Sequence, residues 1–165
     1  MAIFVDDPNF LHGRLDWAIF QNGWSSLYCK KDILERDLVW FRETGFKIIE
    51  IDCFVWDSPG SMHNSLKTAL SFPDYYGNNL DALNDCLSDT EISQEGLVVV
   101  LKRFDLVDKE TGQKIADIFA NNSRYHILFG RKLVLLVQVN NPDFRLAEVG
   151  SCPVLWNSAE FFTSK

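Results

Sequence analysis

Two stretches of this chain, Leu97–Leu101 (LVVVL) and Leu133–Val137 (LVLLV), are apolar at every position. A strand with one wet face alternates apolar and polar residues; a strand apolar throughout has to be buried on both faces. GLVVVLKRF (96–104) and KLVLLVQV (132–139) therefore read as interior strands, and FKIIEIDCFVW (46–56) as a third strand of the same sheet. The segments between them have helical spacing. One helix is expected from about Gly60 to Ser71, stopped by Pro73, and a second from about Asn79 to Asp89. A third runs from Lys109 to about Asn122, with Ile115, Ile118 and Phe119 on one face. The order β-α-α-β-α-β over 46–140 predicts an α/β fold, a parallel sheet covered by helices and joined by right-handed crossovers.

The ends extend this core. DWAIFQNGWSSLYC (16–29) has apolar arms around Asn22-Gly23 and reads as a hairpin. DILERDLVWFRET (32–44) reads as a helix, with Asp32 and Glu35 placed for a capping box and Gly45 just past its end. The tail from Phe144 to Phe162 suits one or two strands around Gly150. Trp17, Phe20, Trp24, Trp156, Phe161 and Phe162 are too many aromatics for free arms. No Pro/Ser-rich linker and no repeat divides the chain. The expectation is one domain over 1–165, with 1–45 and 141–165 packed on the 46–140 core as an added N-terminal helix and extra strands.

With 165 residues and 47% hydrophobic content the chain can bury a full core. Its net charge of −7 argues against nucleic acid as partner, since phosphate binding needs a basic face, and favours a basic protein. Cys29, Cys53, Cys86 and Cys152 lack metal or redox spacing and read as buried, reduced thiols. The N-terminus has acids where a signal peptide carries bases, and no run approaches the roughly 20 apolar residues of a membrane span. A cytoplasmic protein without membrane association is expected. His12, His63 and His126 are scattered, and no phosphate loop, dinucleotide fingerprint or nucleophile motif occurs. Neither a metal, nor a cofactor, nor an enzymatic activity is expected.

The stretch FPDYYGNNLDALNDCLSD (72–89) stands out. Its helix should bury Leu80, Leu83 and Leu87, with Asn78 or Asn79 as cap and Gly77 supplying a tight turn. Asp81, Asn84, Asp85 and Ser88 then form a polar strip beside the buried face, with Asp89 farther round. Between Lys67 and Lys102 there are six acids and no lysine or arginine. Asp81 and Asp85, one turn apart, repel each other by a few tenths of a kcal/mol, about 0.2–0.5. On the residues alone the strip is a solvated face or a surface for a basic partner. A cation site lacks oxygen ligands, and a catalytic acid pair lacks a pocket.

The run Pro73 to Leu87, with its tyrosine pair, glycine turn, NLDAL and DCL, resembles the signature of the barstar family of intracellular ribonuclease inhibitors. The resemblance covers 46–140 and implies a barstar-like fold without catalysis. It implies a basic, ribonuclease-type toxin as partner, blocked when the acidic helix and preceding loop occupy its phosphate-binding active site. The implied partner-binding residues are Tyr75, Tyr76, Gly77, Asn79, Asp81, Asn84, Asp85 and Ser88, with Asp85 as the central carboxylate. Departures from the family pattern are Asn84 in place of a tryptophan, a longer loop after Leu87, and Asn121-Asn122 where the family has a contacting glutamate. They leave room for an acidic interaction module with a non-nuclease target.

Overall fold

The computed structural model describes residues 3–162. Two short helices, α1 (Pro8–Leu11) and α2 (Leu15–Phe20), lead into strand β1 (Ser25–Tyr28) and helix α3 (Lys31–Glu43). Then follow β2 (Lys47–Asp52), α4 (Pro59–Leu70), α5 (Leu80–Ser88), β3 (Leu97–Lys102), α6 (Lys109–Ile127), β4 (Leu133–Gln138) and β5 (Leu155–Trp156). Single 3-10 turns lie at Cys53–Val55, Phe104–Leu106 and Ser158–Phe161. The sheet order is β2-β3-β4-β1-β5. Every pairing is parallel.

The unbroken apolar runs are explained by the layers. Val99, Leu101, Leu135 and Val137 pack with Leu66 of α4, Leu83 and Leu87 of α5 and Phe119 of α6. The alternate residues Val98, Val100, Val134 and Leu136 pack on the other face with Ile33, Leu34, Leu38 and Phe41 of α3. Helices thus cover both faces, as two-sided apolar strands require. The α/β expectation, with N- and C-terminal strands and an N-terminal helix added, holds.

The N-terminal hairpin does not form. Residues 15–20 are helical, and Asn22-Gly23 closes that helix instead of turning a hairpin. Gly23 (φ +87) donates to Phe20 O and Trp24 to Ile19 O, the paired 5→2 and 6→1 bonds of a Schellman ending. The strand that follows pairs with β4, with Ser25 opposite Leu135. Asp16 is fully buried and forms ion pairs with Arg14 (2.8 Å) and Lys132 (3.0 Å), which tie α2 to the start of β4.

Other boundaries differ as well. The 46–56 strand ends at Asp52, whose carboxylate accepts from Phe54 N and starts a 3-10 turn. The last core helix runs on to Ile127, because Asn122, Ser123 and His126 are buried against neighbours instead of ending it. The Asp32/Glu35 capping box is absent: α3 starts one residue earlier, with Lys30 as N-cap, and Glu35 pairs with Arg42. Glu160, from the far end of the chain, accepts from the amides of Cys29 and Lys30. In the tail, Val149 and Cys152 bridge around Gly150, and β5 adds to β1. Trp24 is buried, but Phe161 and Phe162 are 72% and 86% exposed, so those two do not pack as expected. All four cysteines are free; Cys53 and Cys86 are buried, whereas Cys29 and Cys152 are partly exposed. Among the described residues no helix is long and apolar enough to cross a membrane.

Candidate functional site

The loop from Phe72 to Asn79 and helix α5 lie on the α4–α6 side of the sheet. Leu83 and Leu87 are fully buried and Cys86 nearly so, which fixes the rotation of α5 about its axis. Asp81, Asn84 and Asp85 are exposed on its other side, with Ser88 half-buried beside them. Burial raises the Cys86 thiol, and the charges of Asp89 and Asp85 add to that, which favours the neutral thiol.

The two adjacent tyrosines part company. Tyr75 is 78% exposed, while Tyr76 is 5% exposed and packs on Phe72 with ring centroids 5.1 Å apart. The Tyr76 hydroxyl meets His63 Nδ1 of α4 at 2.6 Å. Burial pushes that hydroxyl up to about 12 and holds His63 below its usual range, so both are neutral near pH 7. Tyr76 is therefore a pin that ties the loop to α4, and Tyr75 is the ring offered outward.

The helix start is defined by two asparagines. Asn79 is the N-cap, its Oδ1 accepting from Ala82 N at 2.8 Å and its Nδ2 donating to Gly77 O at 3.1 Å. The left-handed residue is Asn78 (φ +50), not Gly77. The tight turn expected at Gly77 is displaced by one position, because an asparagine tolerates that region better than most residues. Gly77 still lies close to its neighbours: a Cβ there would come within 3.2 Å of Asn79 Nδ2.

Helix α6 braces α5 from the side. Asn122 Nδ2 donates to Asn84 Oδ1 at 3.0 Å and to Ile118 O at 2.9 Å. One turn on, His126 Nε2 donates to Leu87 O at 2.8 Å. No local pattern signals the roles of His63 and His126, since they meet their partners from 13 and 39 residues away.

The charges of α5 have no internal answer. Asp81, Asp85 and Asp89 form no ion pair among the described residues. Some other exposed acids do: Asp74 pairs with Lys67 at 3.4 Å and Glu110 with Lys114 at 2.6 Å. Among the described residues no group of three His, Cys, Asp or Glu could hold a metal.

The chain is 46% identical over 57 residues to "Putative ribonuclease inhibitor YrdF" of Bacillus subtilis (strain 168), covering 34% of this chain and 60% of that protein. The match thus spans less than two thirds of the relative's length. A solved structure, "Structure of Drosophila ORC bound to AT-rich DNA and Cdc6", aligns over 89% of this chain and 55% of its own, with 14% identity and a TM-score of 0.46. That likeness is too low to carry an argument. Residues 46–137, more than half of the chain, match the family described as Barstar (barnase inhibitor). The sheet β2-β3-β4 with α4, α5 and α6 and the acidic face of α5 lie within that match, and the chain belongs to the barstar family.

Proposed function

We propose that this protein inhibits a basic ribonuclease by laying the Tyr75 loop and the exposed face of α5 into its active site. The observation that carries the reading is the exposed pair Asp81 and Asp85, one turn apart, without a cation in ion-pair reach among the described residues. No ion pair among the described residues offsets their repulsion. A basic phosphate-binding cleft would reverse its sign, and the two carboxylates would stand where RNA phosphates otherwise bind. The same charges raise the encounter rate with a basic partner and penalise acidic ones. Asp85 is the central acid, supported by Asp81 and Tyr75, with Gly77, Asn79, Asn84 and Ser88 around them; Tyr76 acts from behind, by holding the loop. No bond is made or broken, so no cofactor is involved.

In this reading the chain protects a cytoplasm from a ribonuclease toxin. Residues 46–140 carry the inhibitory surface, and the ends complete a single folding unit of 1–165. The family match and the ribonuclease-inhibitor name of the Bacillus relative support it. A second reading is a non-nuclease target on the same face. It is favoured by Asn84, a small amide bonded to α6 where the family offers a tryptophan.

The test is RNA hydrolysis by barnase titrated with the protein and with Asp85→Ala. Stoichiometric inhibition by the native chain and a loss of about tenfold or more in the variant are expected. Hydrolysis unaffected by the native chain would exclude barnase as the target and favour the second reading. Inhibition unchanged in the variant would remove Asp85 from its centre.

A further inference from the structure

A cavity of about 470 Å³ opens beside Asn78, Asn79 and Leu80, the residues that lead directly into Asp81. Its other walls come from the segments after β2 and after β3, at the carboxyl ends of two parallel strands. The volume is within the range of side-chain and small-ligand sites. The body of the cavity is apolar: Trp56, Met62, Leu80 and Val107, with Leu106 58% exposed. Two exposed carboxylates, Asp57 and Asp108, also line it. The indole N–H of Trp56 is buried and has no acceptor among the described residues.

Three helices begin here, yet their ends are not open to an anion. Ser58, Asn79 and Asp108 each cap their own helix, accepting from Ser61 N (3.1 Å), Ala82 N (2.8 Å) and Thr111 N (3.0 Å). His63, the remaining ionisable group in the wall, is neutral because burial lowers it. Full carboxylate charges at Asp57 and Asp108 stand against the partial charges of capped helix ends, roughly half a charge each and screened by solvent. An apolar slot with acids in its lining suits a long side chain with an aliphatic stem and a cationic tip.

We infer that this cavity receives an arginine or lysine side chain of the basic partner, its stem between Trp56, Leu80 and Leu106 and its cation at Asp57 and Asp108, as a second anchor beside the α5 acids. The inference rests on the proposed basic-partner reading and deepens it. The occupant comes from the partner because the cavity wall runs without a break into the α5 start, and Asp81 is only two Cα steps, under about 8 Å, from Asn79. A peptide carbonyl of the same segment supplies the missing acceptor for Trp56 Nε1.

The test has two arms. In the first, Nα-acetyl-arginine N-methylamide is titrated into the ¹⁵N-labelled protein, with the uncharged citrulline analogue as control; Trp56→Phe assigns the indole signal. A saturable shift of the Trp56 indole N–H is expected with the arginine probe, weakened about fivefold or more by Asp57→Asn and by the citrulline analogue. No saturable shift, or equal binding of the two probes, would overturn the inference. In the second, the dissociation constant with barnase is measured for Asp57→Lys and for Glu43→Lys, an equal charge change on α3 across the sheet. Asp57→Lys should weaken binding about tenfold and Glu43→Lys less than about threefold. If both behave alike while Asp85→Ala still abolishes inhibition, the cavity is not an anchor and the inhibitor reading stands. If the arginine probe binds as expected but barnase is not inhibited, the cavity chemistry stands and barnase is excluded as the partner.

Discussion

Asn122 of α6 donates to Asn84 of α5 at 3.0 Å, and this bond sits beside the unpaired carboxylates Asp81 and Asp85. Position 84 is therefore both exposed to a partner and tied to the helix behind it. Asn84→Ala leaves Asn122 its bond to Ile118 O, so the expected loss of stability is modest, about 0.5–1.5 kcal/mol by urea denaturation. Asn84→Trp, which restores the aromatic of the family pattern, should strengthen binding to barnase if the missing ring is what sets specificity. Unchanged or weaker binding in that variant would place the specificity elsewhere.

Salt separates recognition by charge from recognition by shape. The exposed α5 acids have no ion-pair partner among the described residues, so their field extends into solvent. The association rate with a basic ribonuclease should fall steeply between about 0.01 and 0.15 M ionic strength, where the Debye length shortens from ~30 to ~8 Å, and the dissociation rate should change less. Stopped-flow association rates that stay flat would rule out electrostatic steering by α5.

Asp37 of α3 is the buried junction between the two ends of the chain. It accepts from Tyr28 OH at 2.9 Å and from Asn157 Nδ2 at 2.8 Å, with Arg36 on its other oxygen. Asp37→Ala removes these bonds, two of them from Arg36, and takes the acceptor from the buried Tyr28 hydroxyl, while Asn157 Nδ2 keeps its bond to Tyr28 OH at 3.2 Å; the expected loss is about 2–3 kcal/mol. A variant within about 0.5 kcal/mol of the native protein in chemical denaturation would show that β1 and the tail are not coupled through this residue.

Removing residues 1–45 should unfold or aggregate the rest. Ile33, Leu34, Leu38 and Phe41 are at most 3% exposed and cover Val98, Val100, Val134 and Leu136. At about 1.5–3 kcal/mol per buried side chain, four such residues match the whole marginal stability of a domain, about 5–15 kcal/mol. The deletion also strips β4 of its neighbour β1 and leaves an open edge. A 46–165 chain that stays soluble and melts at the full-length temperature would contradict this.

Two buried histidines set the pH response. Burial lowers both His63 and His126, so the native state resists their protonation while the unfolded chain does not. Stability is complete above the unfolded value near 6.5 and falls as pH drops below it, by at most about 1.4 kcal/mol per pH unit for each histidine, until the lowered native values are reached. Asp16 follows at lower pH. Burial alone would raise it, but Arg14 and Lys132 hold it below its usual value, so its contribution is lost as pH falls through the carboxylate range. Urea midpoints should fall between pH 7.5 and 5.5 in the native protein and fall less in the His63→Gln and His126→Gln variants. Equal midpoints at the two pH values would refute the assignment.

What depends on local pattern is readable from the residues alone. Unbroken apolar runs specify two-faced interior strands, and apolar spacing places Leu83 and Leu87 inward and Asp81 and Asp85 outward on one helix, because rotation about a helix axis follows from the residue count. A cap at Asn78 or Asn79 was legible for the same reason, and the structure selects Asn79, whose acceptor and donor lie three residues apart. The tertiary structure decided everything set by distant partners. Asn22-Gly23 carries one local signal compatible with a hairpin and with a helix ending; β4, more than a hundred residues on, selects the helix ending by taking β1 as a parallel neighbour. Glu160 accepts the amides that precede α3, although Asp32 and Glu35 were nearer in the chain. Tyr75 and Tyr76 have the same side chain, and only His63 and Phe72, brought over by packing, make one a pin and leave the other free. Local propensities differ by tenths of a kcal/mol, whereas burial and long-range pairing contribute whole ones, so where the two compete the tertiary contacts prevail.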